Sequence, residues 1–285
     1  TGDFVPKDAL IIKVLRSPHA QAKIKSIDTS KAKLIPGVEA IFTYEDVPNT
    51  RFTLAGQTYP EPSAYDALIL DPVVRYVGDE VALVVAKDEA TALKAMPLIK
   101  VEYEVQKPVL DLRTAMGHET VVHPEDDILN HIPVGQDYKR NICVSYHKRV
   151  GDIEAELAKC DYVVEGTYFD QATRQSAMEP FQSFGYIDHL GRIVIVSSTQ
   201  IVFHVRRHIA RALGIPASKI RVIKPRIGGG FGSKQTACTE LMTAFVTWKL
   251  HKPCYLLYDR TEAQTCSTTR HAREWYIRVG ATKDG

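Results

Sequence analysis

The residues with the clearest chemical content lie in one stretch, Gly228-Gly229-Gly230-Phe231-Gly232-Ser233-Lys234-Gln235. The strand-like run Ile220 to Ile223 precedes it, and an apolar segment that reads as a helix from Thr236 to Leu250 follows. Glycines let a backbone adopt positive φ and approach a ligand with no Cβ in the way. Amides at the mouth of the following helix would add partial positive charge. Strand, glycine run and helix in this order suit an oxygen- or sulfur-rich anionic group. The nucleotide-phosphate motifs do not fit. A Walker loop ends in Gly-Lys-Ser/Thr, whereas here Ser233 precedes Lys234 and Gln235 follows; the dinucleotide fingerprint needs glycine where Ser233 stands. The alternative reading of the same residues is a glycine turn with a purely structural role.

Other candidates carry less. His204 and His208 stand four apart, a spacing that can chelate a metal. Arg206 and Arg207 lie between them and would oppose a cation, so the basic side of that helix reads as a solvated or subunit-facing surface. Glu179 reads as a structural carboxylate, Met242, Phe245 and Trp248 as core, and Arg260-Thr261-Glu262 as a helix start capped by Asp259 or Thr261.

The elements that must position the glycine run fall into two units. In residues 1–112, Leu10 to Leu15, Ala22 to Ile27, Gly37 to Tyr44 and Lys100 to Val105 read as strands, and Val73 to Tyr76 and Val81 to Ala86 flank the turn pair Gly78-Asp79. Asp88 is placed to cap a helix that ends near Pro97. Residues 49–72 read as a long surface loop, and 113–150 as a linker between units. In residues 151–285 the expectations are a short helix over 152–159, a strand over 162–169, strands on either side of Asp188 to Gly191, and a helix over 203–213 closed by Gly214. Trp275 to Val279 reads as a strand. The chain stops at Asp284-Gly285, a turn signal, so the pairing partner of this strand is expected on another polypeptide or on the remainder of this one.

Composition excludes several classes. The 285 residues are 45% hydrophobic and 25% charged, and 36 basic residues nearly balance 34 acidic ones, so no field favours nucleic acid or an anionic membrane. No apolar run approaches the roughly 20 residues of a membrane span. The five widely spaced cysteines form no Cys-x-x-Cys pair and read as reduced thiols of a cytoplasmic protein, not as a disulfide framework or a cluster site.

The glycine run resembles the signature of the molybdenum hydroxylases, the family of xanthine dehydrogenases, aldehyde oxidoreductases and nicotinate dehydrogenase. Several further motifs resemble the family in order: Arg16-Ser17-Pro18-His19-Ala20, Gly37 to Thr43, Val77 to Ala82, Val101 to Glu104, Gln175 to Pro180, Ser197-Ser198-Thr199-Gln200 and Arg270-His271. The similarity covers nearly the whole chain and is strongest to the bacterial xanthine or purine branch. It implies an α+β protein: an α/β hammerhead-like domain over 1–112, then the first part of a molybdopterin-binding domain over 151–285. It implies a molybdenum–molybdopterin cofactor, in plain or cytosine dinucleotide form. Gln200 would hydrogen-bond an oxo ligand and the Phe231 amide would face the same centre, with Gly229, Gly230 and Gly232 giving access; both are contacts to ligands of the metal, not to the metal itself. Fixed donors of this kind stabilise charge that develops on oxygen. Gln235 stands where the animal xanthine enzymes carry a purine-binding glutamate, and it is neutral, both donor and acceptor. No catalytic residue is expected in this chain, because the family's glutamate base lies beyond residue 285. The implied reaction inserts water oxygen at a carbon beside nitrogen in an N-heteroaromatic ring such as xanthine or hypoxanthine. The implied partners are the C-terminal half of the molybdopterin subunit, a 2Fe-2S subunit and an FAD subunit. The alternatives are an aldehyde oxidoreductase of the same family and a non-catalytic binding or assembly module.

Overall fold

The structure is a computed structural model and describes residues 1–54 and 58–285. The strands are β1 (Leu10–Arg16), β2 (Ala22–Asp28), β3 (Val38–Phe42), β4 (Val73–Val74), β5 (Glu80–Ala86), β6 (Lys100–Val105), β7 (Tyr162–Asp170), β8 (Gln182–Ile187), β9 (Ile193–Ser197), β10 (Ile220–Ile223), β11 (Cys254–Leu257) and β12 (Arg273–Ala281); β5 and β9 are continuous buried apolar runs, as strands covered on both faces are. The helices are α1 (Ser30–Lys33), α2 (Glu89–Ala95), α3 (Leu112–Ala115), α4 (Ile153–Leu157), α5 (Val202–Leu213), α6 (Glu240–Leu250) and α7 (Arg260–Thr265). Asp88, Asp152 and Asp259 cap α2, α4 and α7 with their carboxylates, Asp259 in a reciprocal pair with Glu262. Gly214, at φ +65°, closes α5.

A seven-stranded mixed sheet, ordered β10-β9-β8-β11-β1-β5-β3, forms the centre. β1 runs parallel to β11 on one side and antiparallel to β5 on the other, so strands from residues 10–86 and 182–257 share one sheet. β5 shows why the sheet is covered on both faces. Its Leu83 and Val85 join the main core with Phe245 and Val205, while Ala82, Val84 and Ala86 pack with Ala92 and Ala95 of α2. Each large apolar side chain buried in this way contributes about 1.5–3 kcal/mol. A smaller antiparallel sheet, β4-β2-β6, flanks the first. No helix among the described residues is long and apolar enough to cross a membrane.

Four expectations are corrected. Trp275 to Val279 has a partner within this chain: it lies in β12, which pairs with β7 from Arg273↔Asp170 to Ala281↔Tyr162 in a two-stranded sheet and so satisfies the backbone groups of one edge. Of residues 49–72, expected as a surface loop, 55–57 lie outside the described residues, and the rest is not exposed throughout. Phe52 and Ala67 exchange backbone hydrogen bonds of 3.0 and 3.1 Å, Phe52, Ile69 and Leu70 are buried in the main core, and the Tyr65 hydroxyl donates to buried Glu61 (2.8 Å). The reading of the basic side of α5 as solvated is corrected only for Arg207, which donates to buried Glu61 (2.8 Å); Arg211 stays exposed while donating to the Arg51 carbonyl (2.7 Å). Finally, the helix expected from Thr236 begins at Glu240, because residues 233–235 first form a tight 3-10 turn. Residues 113–150 hold little regular structure beyond α3 and a turn at Tyr138–Arg140.

Candidate functional site

β9 and β10 are parallel neighbours, with Ile223 opposite Val196. Their carboxyl ends therefore open on the same sheet edge, where open α/β sheets bind ligands. From that edge β9 continues into Ser198-Thr199-Gln200 and β10 into the glycine run. The two segments meet. The Gln200 amide donates to the Lys234 carbonyl (2.8 Å), and the Gln200 side-chain oxygen accepts from the Gly232 amide (3.2 Å). With Oε1 held in this way, Nε2 is left outward as a donor, and among the described residues it has no partner.

The loop sorts its polar groups. Carbonyls turn inward: Gly228 O accepts from the Glu179 amide (3.1 Å), Gly230 O from the Ser233 amide (2.9 Å) and hydroxyl (2.7 Å), and Gly232 O from the Gln235 amide (3.2 Å). The amides of Gly229, Gly230 and Phe231 donate no hydrogen bond among the described residues. Positive φ at Gly229 (+97°), Phe231 (+51°) and Gly232 (+90°) produces this sorting; it is strained for a phenylalanine, whose ring stays 74% exposed. At Gly230 the requirement is space: a Cβ there would lie 2.4 Å from Gln200 Oε1. Gln200, Gly229, Gly230, Phe231 and Gly232 thus come together as one donor-rich surface.

Behind the loop stand two buried ionisable groups that no spacing pattern singled out. Lys234 is 1% exposed, and its ammonium donates to the Glu179 carbonyl (2.9 Å) and carboxylate (3.3 Å). Glu179 in turn accepts from the Gly228 amide (2.6 Å) and Gln182 Nε2 (2.8 Å). Burial alone would raise the Glu179 carboxyl, but the Gly228 amide, Thr1 and Lys234 together hold it down at about 2. Burial likewise pulls the Lys234 ammonium below its usual range, against the attraction of Glu179. Glu179 is therefore a clamp across both ends of the loop. Arg260 steadies the same segment by donating to the carbonyls of Ala177 (2.9 Å) and Met178 (2.8 Å).

The second group is Glu240, whose carboxyl burial pushes above the usual range against the opposing pull of its hydrogen bonds from Ser197, Cys238 and Thr239. Its carboxylate accepts from the Cys238 and Thr239 amides (2.9 and 3.0 Å) and from the Ser197 hydroxyl (2.5 Å). The two amides just before α6 are thus used internally, so the donors left without a partner among the described residues are those of the loop itself. A Thr-Glu pair opening an apolar helix is a capping signal that could have located Glu240.

Gln235 is half-buried where the chain leaves the loop. Two and three residues on, Ala237 and Cys238 line a cavity of about 550 Å³ together with Leu241, Tyr258 and Thr268. His208 is buried 3.8 Å from Glu61, and no group of three His, Cys, Asp or Glu among the described residues could hold a metal ion. All five cysteines are free thiols.

Residues 134–285 match the profile of the molybdopterin cofactor-binding domain, and residues 1–107 that of the aldehyde oxidase and xanthine dehydrogenase a/b hammerhead domain. The "Probable hypoxanthine oxidase XdhD" of Escherichia coli (strain K12) is 39% identical over 99% of this chain and 32% of its own length. The xanthine dehydrogenase molybdenum-binding subunit of Escherichia coli O157:H7 is 35% identical over 100% of this chain and 37% of its own. Among solved structures, the aldehyde oxidoreductase of Desulfovibrio gigas superposes with a TM-score of 0.80 at 26% identity, over 99% of this chain and 30% of that one. The chain spans about a third of the length of these relatives.

Proposed function

Because this chain belongs to the aldehyde oxidase and xanthine dehydrogenase family of molybdopterin proteins, we propose that it is the front part of a molybdenum hydroxylase subunit acting on an N-heteroaromatic substrate, a purine such as xanthine or hypoxanthine. The observation that carries the reading is the donor-rich surface at the carboxyl ends of β9 and β10. The outward Gln200 amide nitrogen and the amides of Gly229, Gly230 and Phe231 suit oxygen-bearing ligands of the cofactor. The residues present fit such a group: the surface offers donors, the carbonyls of Gly228, Gly230 and Gly232 are taken up within the protein, and Gly230 leaves no side chain in the way.

When bound, a molybdenum–molybdopterin group, plain or as the cytosine dinucleotide, supplies the two-electron oxidation with oxygen drawn from water. This chain orients and stabilises. Gln200, its carbonyl anchored on Gly232, presents a fixed N–H, and the Phe231 amide a second. Such donors need no reorganisation as charge grows on oxygen, and each is worth about 10²–10³ in rate. Gln235 stands two residues before Ala237, which lines the cavity, and would contact the substrate edge. The glutamate base, most cofactor contacts and the iron–sulfur and FAD electron carriers belong to the rest of the polypeptide and to partner subunits. A cytoplasmic setting is in keeping with the five thiols. Aldehyde oxidation is the second reading, supported by the likeness to the Desulfovibrio gigas enzyme.

The test is to purify the full-length protein with its partner subunits, measure molybdenum, and assay xanthine, hypoxanthine and nicotinate against aromatic aldehydes. Stoichiometric molybdenum with turnover of a heterocycle is expected. Molybdenum with aldehyde turnover alone would transfer the protein to the second reading, and a complex without molybdenum would leave a binding or assembly module.

A further inference from the structure

The two segments that carry the outward donors are joined from below by one side chain. Ser197, the last residue of β9, lies three residues before Gln200, and Cys238 and Thr239 lie seven and eight residues after Phe231. Glu240 holds both: Oε1 accepts from the Ser197 hydroxyl at 2.5 Å, and Oε2 accepts from the Cys238 and Thr239 amides at 2.9 and 3.0 Å. Glu240 is 4% exposed, and among the described residues no cation stands within ion-pair distance of it. A buried carboxylate without a counter-ion is costly to retain for stability alone, and an apolar residue of similar size would often do as well. What the carboxylate adds is geometry, since three donors from two separate segments converge on two oxygens of one planar group.

We propose that Glu240 is a positioning residue, which fixes the Gln200-bearing end of β9 to the backbone leaving the glycine loop so that both sets of donors aim at one point. The proposal rests on the function argued above for its purpose, but its structural content stands apart from that function. Three elements support it: direct bonds to both segments, the second bridge between Gln200 N and Lys234 O that runs alongside (2.8 Å), and the position of Glu240 away from the outward surface. Charge felt from Glu240 also favours the ammonium of Lys234, which anchors the same loop.

The experiment is hydrogen–deuterium exchange on the full-length protein with its partner subunits, comparing Glu240→Ala, Glu240→Gln and Ser197→Ala with Val246→Ala. The last variant removes buried apolar volume from the same helix and touches neither segment through a polar bond. Glu240→Ala is expected to speed exchange roughly tenfold in peptides covering 198–201 and 228–236, relative to the rest of the chain. Ser197→Ala should move the same peptides less, and Glu240→Gln, which keeps one acceptor, should fall between. In the loaded complex Glu240→Ala should lower kcat roughly tenfold per molybdenum while KM stays within about twofold. The proposal is overturned if Glu240→Ala leaves those peptides unchanged, or accelerates them only as far as Val246→Ala does. A wild-type complex without molybdenum would remove the proposed function and leave the exchange result to be judged by itself.

Discussion

Replacing Gly230 by alanine separates function from stability more cleanly than any other change in this site. The new Cβ would sit 2.4 Å from Gln200 Oε1 and 2.8 Å from its Cδ, so the glutamine side chain must move. It can move at low cost, because Gln200 is exposed and Gly230 does not occupy the left-handed region. The loss is the bond from the Gly232 amide, worth about 0.5–1.5 kcal/mol. Alanine in place of glycine returns about 0.4–1 kcal/mol by restricting the unfolded chain. The two nearly cancel, and at about 2–4 °C per kcal/mol the melting temperature should shift by only a few degrees. Activity should respond very differently, because the outward amide nitrogen leaves its fixed aim; removing one such donor costs about 10²–10³ in kcat. The assay is thermal unfolding together with steady-state turnover per bound molybdenum, on the full-length protein with its partners. A fall in melting temperature beyond about 10 °C would show that the clash spreads into the backbone. Turnover within about threefold of wild type would refute the role given to Gln200.

Four further outcomes are expected. Gln200→Ala should reproduce the kinetic loss of Gly230→Ala, and the double variant should be little worse than either alone, which a double-mutant cycle measures. Glu179, held at about 2 against an ordinary 4.5, contributes stability that is complete above about pH 4.5 and lost as pH falls through about 2. Glu179→Gln should therefore flatten the acid limb of a pH series of urea unfolding curves, and an unchanged slope there would count against the clamp. Gly185→Ala would bring a Cβ within 2.4 Å of Thr247 Oγ1 and 2.8 Å of Ile195 Cδ1 in the buried centre of the sheet. It should cost about 1–3 kcal/mol in chemical denaturation. Gln235→Ala should raise KM for the heterocycle roughly tenfold with kcat nearly unchanged, as expected for a contact made equally in ground and transition states.

Much of the fold was legible because its signals are local. β5 is a continuous apolar run between a turn glycine and a capping aspartate, and α5 ends where Gly214 permits positive φ. The failures share a cause: they depend on partners distant in sequence. Residues 49–72 are rich in proline and small polar residues, which reads as exposure. Yet Glu61 is buried because Arg207, 146 residues on, supplies its counter-charge, and Phe52 because it packs in the main core with residues far along the chain. β12 found β7 across more than a hundred residues, a pairing that no alternation pattern can announce. The start of α6 was misjudged for a subtler reason. Thr236 to Leu250 is apolar enough for one helix, but Ser233 closes on Gly230 O and commits the next residues to a 3-10 turn.

The candidate site was legible in its outward half only. Glycines and a strand end with a glutamine are visible in any linear reading, since their chemistry is in their own backbone and side chain. What makes them act together is the inward half, and it follows a single rule. Every loop carbonyl from Gly228 to Lys234 for which a partner is found here turns inward to the protein, on Glu179, Ser233, Gln235, Thr236 or Gln200. The half-buried carboxylate of Glu179 takes up the Gly228 amide and the buried one of Glu240 takes up those of Cys238 and Thr239 just beyond the run, while the amides of Gly229, Gly230 and Phe231 have no partner among the described residues. A loop built in this way presents positive partial charge without any exposed cation and without a helix mouth. It can therefore favour an oxygen-rich, negatively charged ligand through directed backbone donors. Selectivity must then come from shape and from how rigidly the donors are held, which places the weight of the site on its buried supports as much as on its surface.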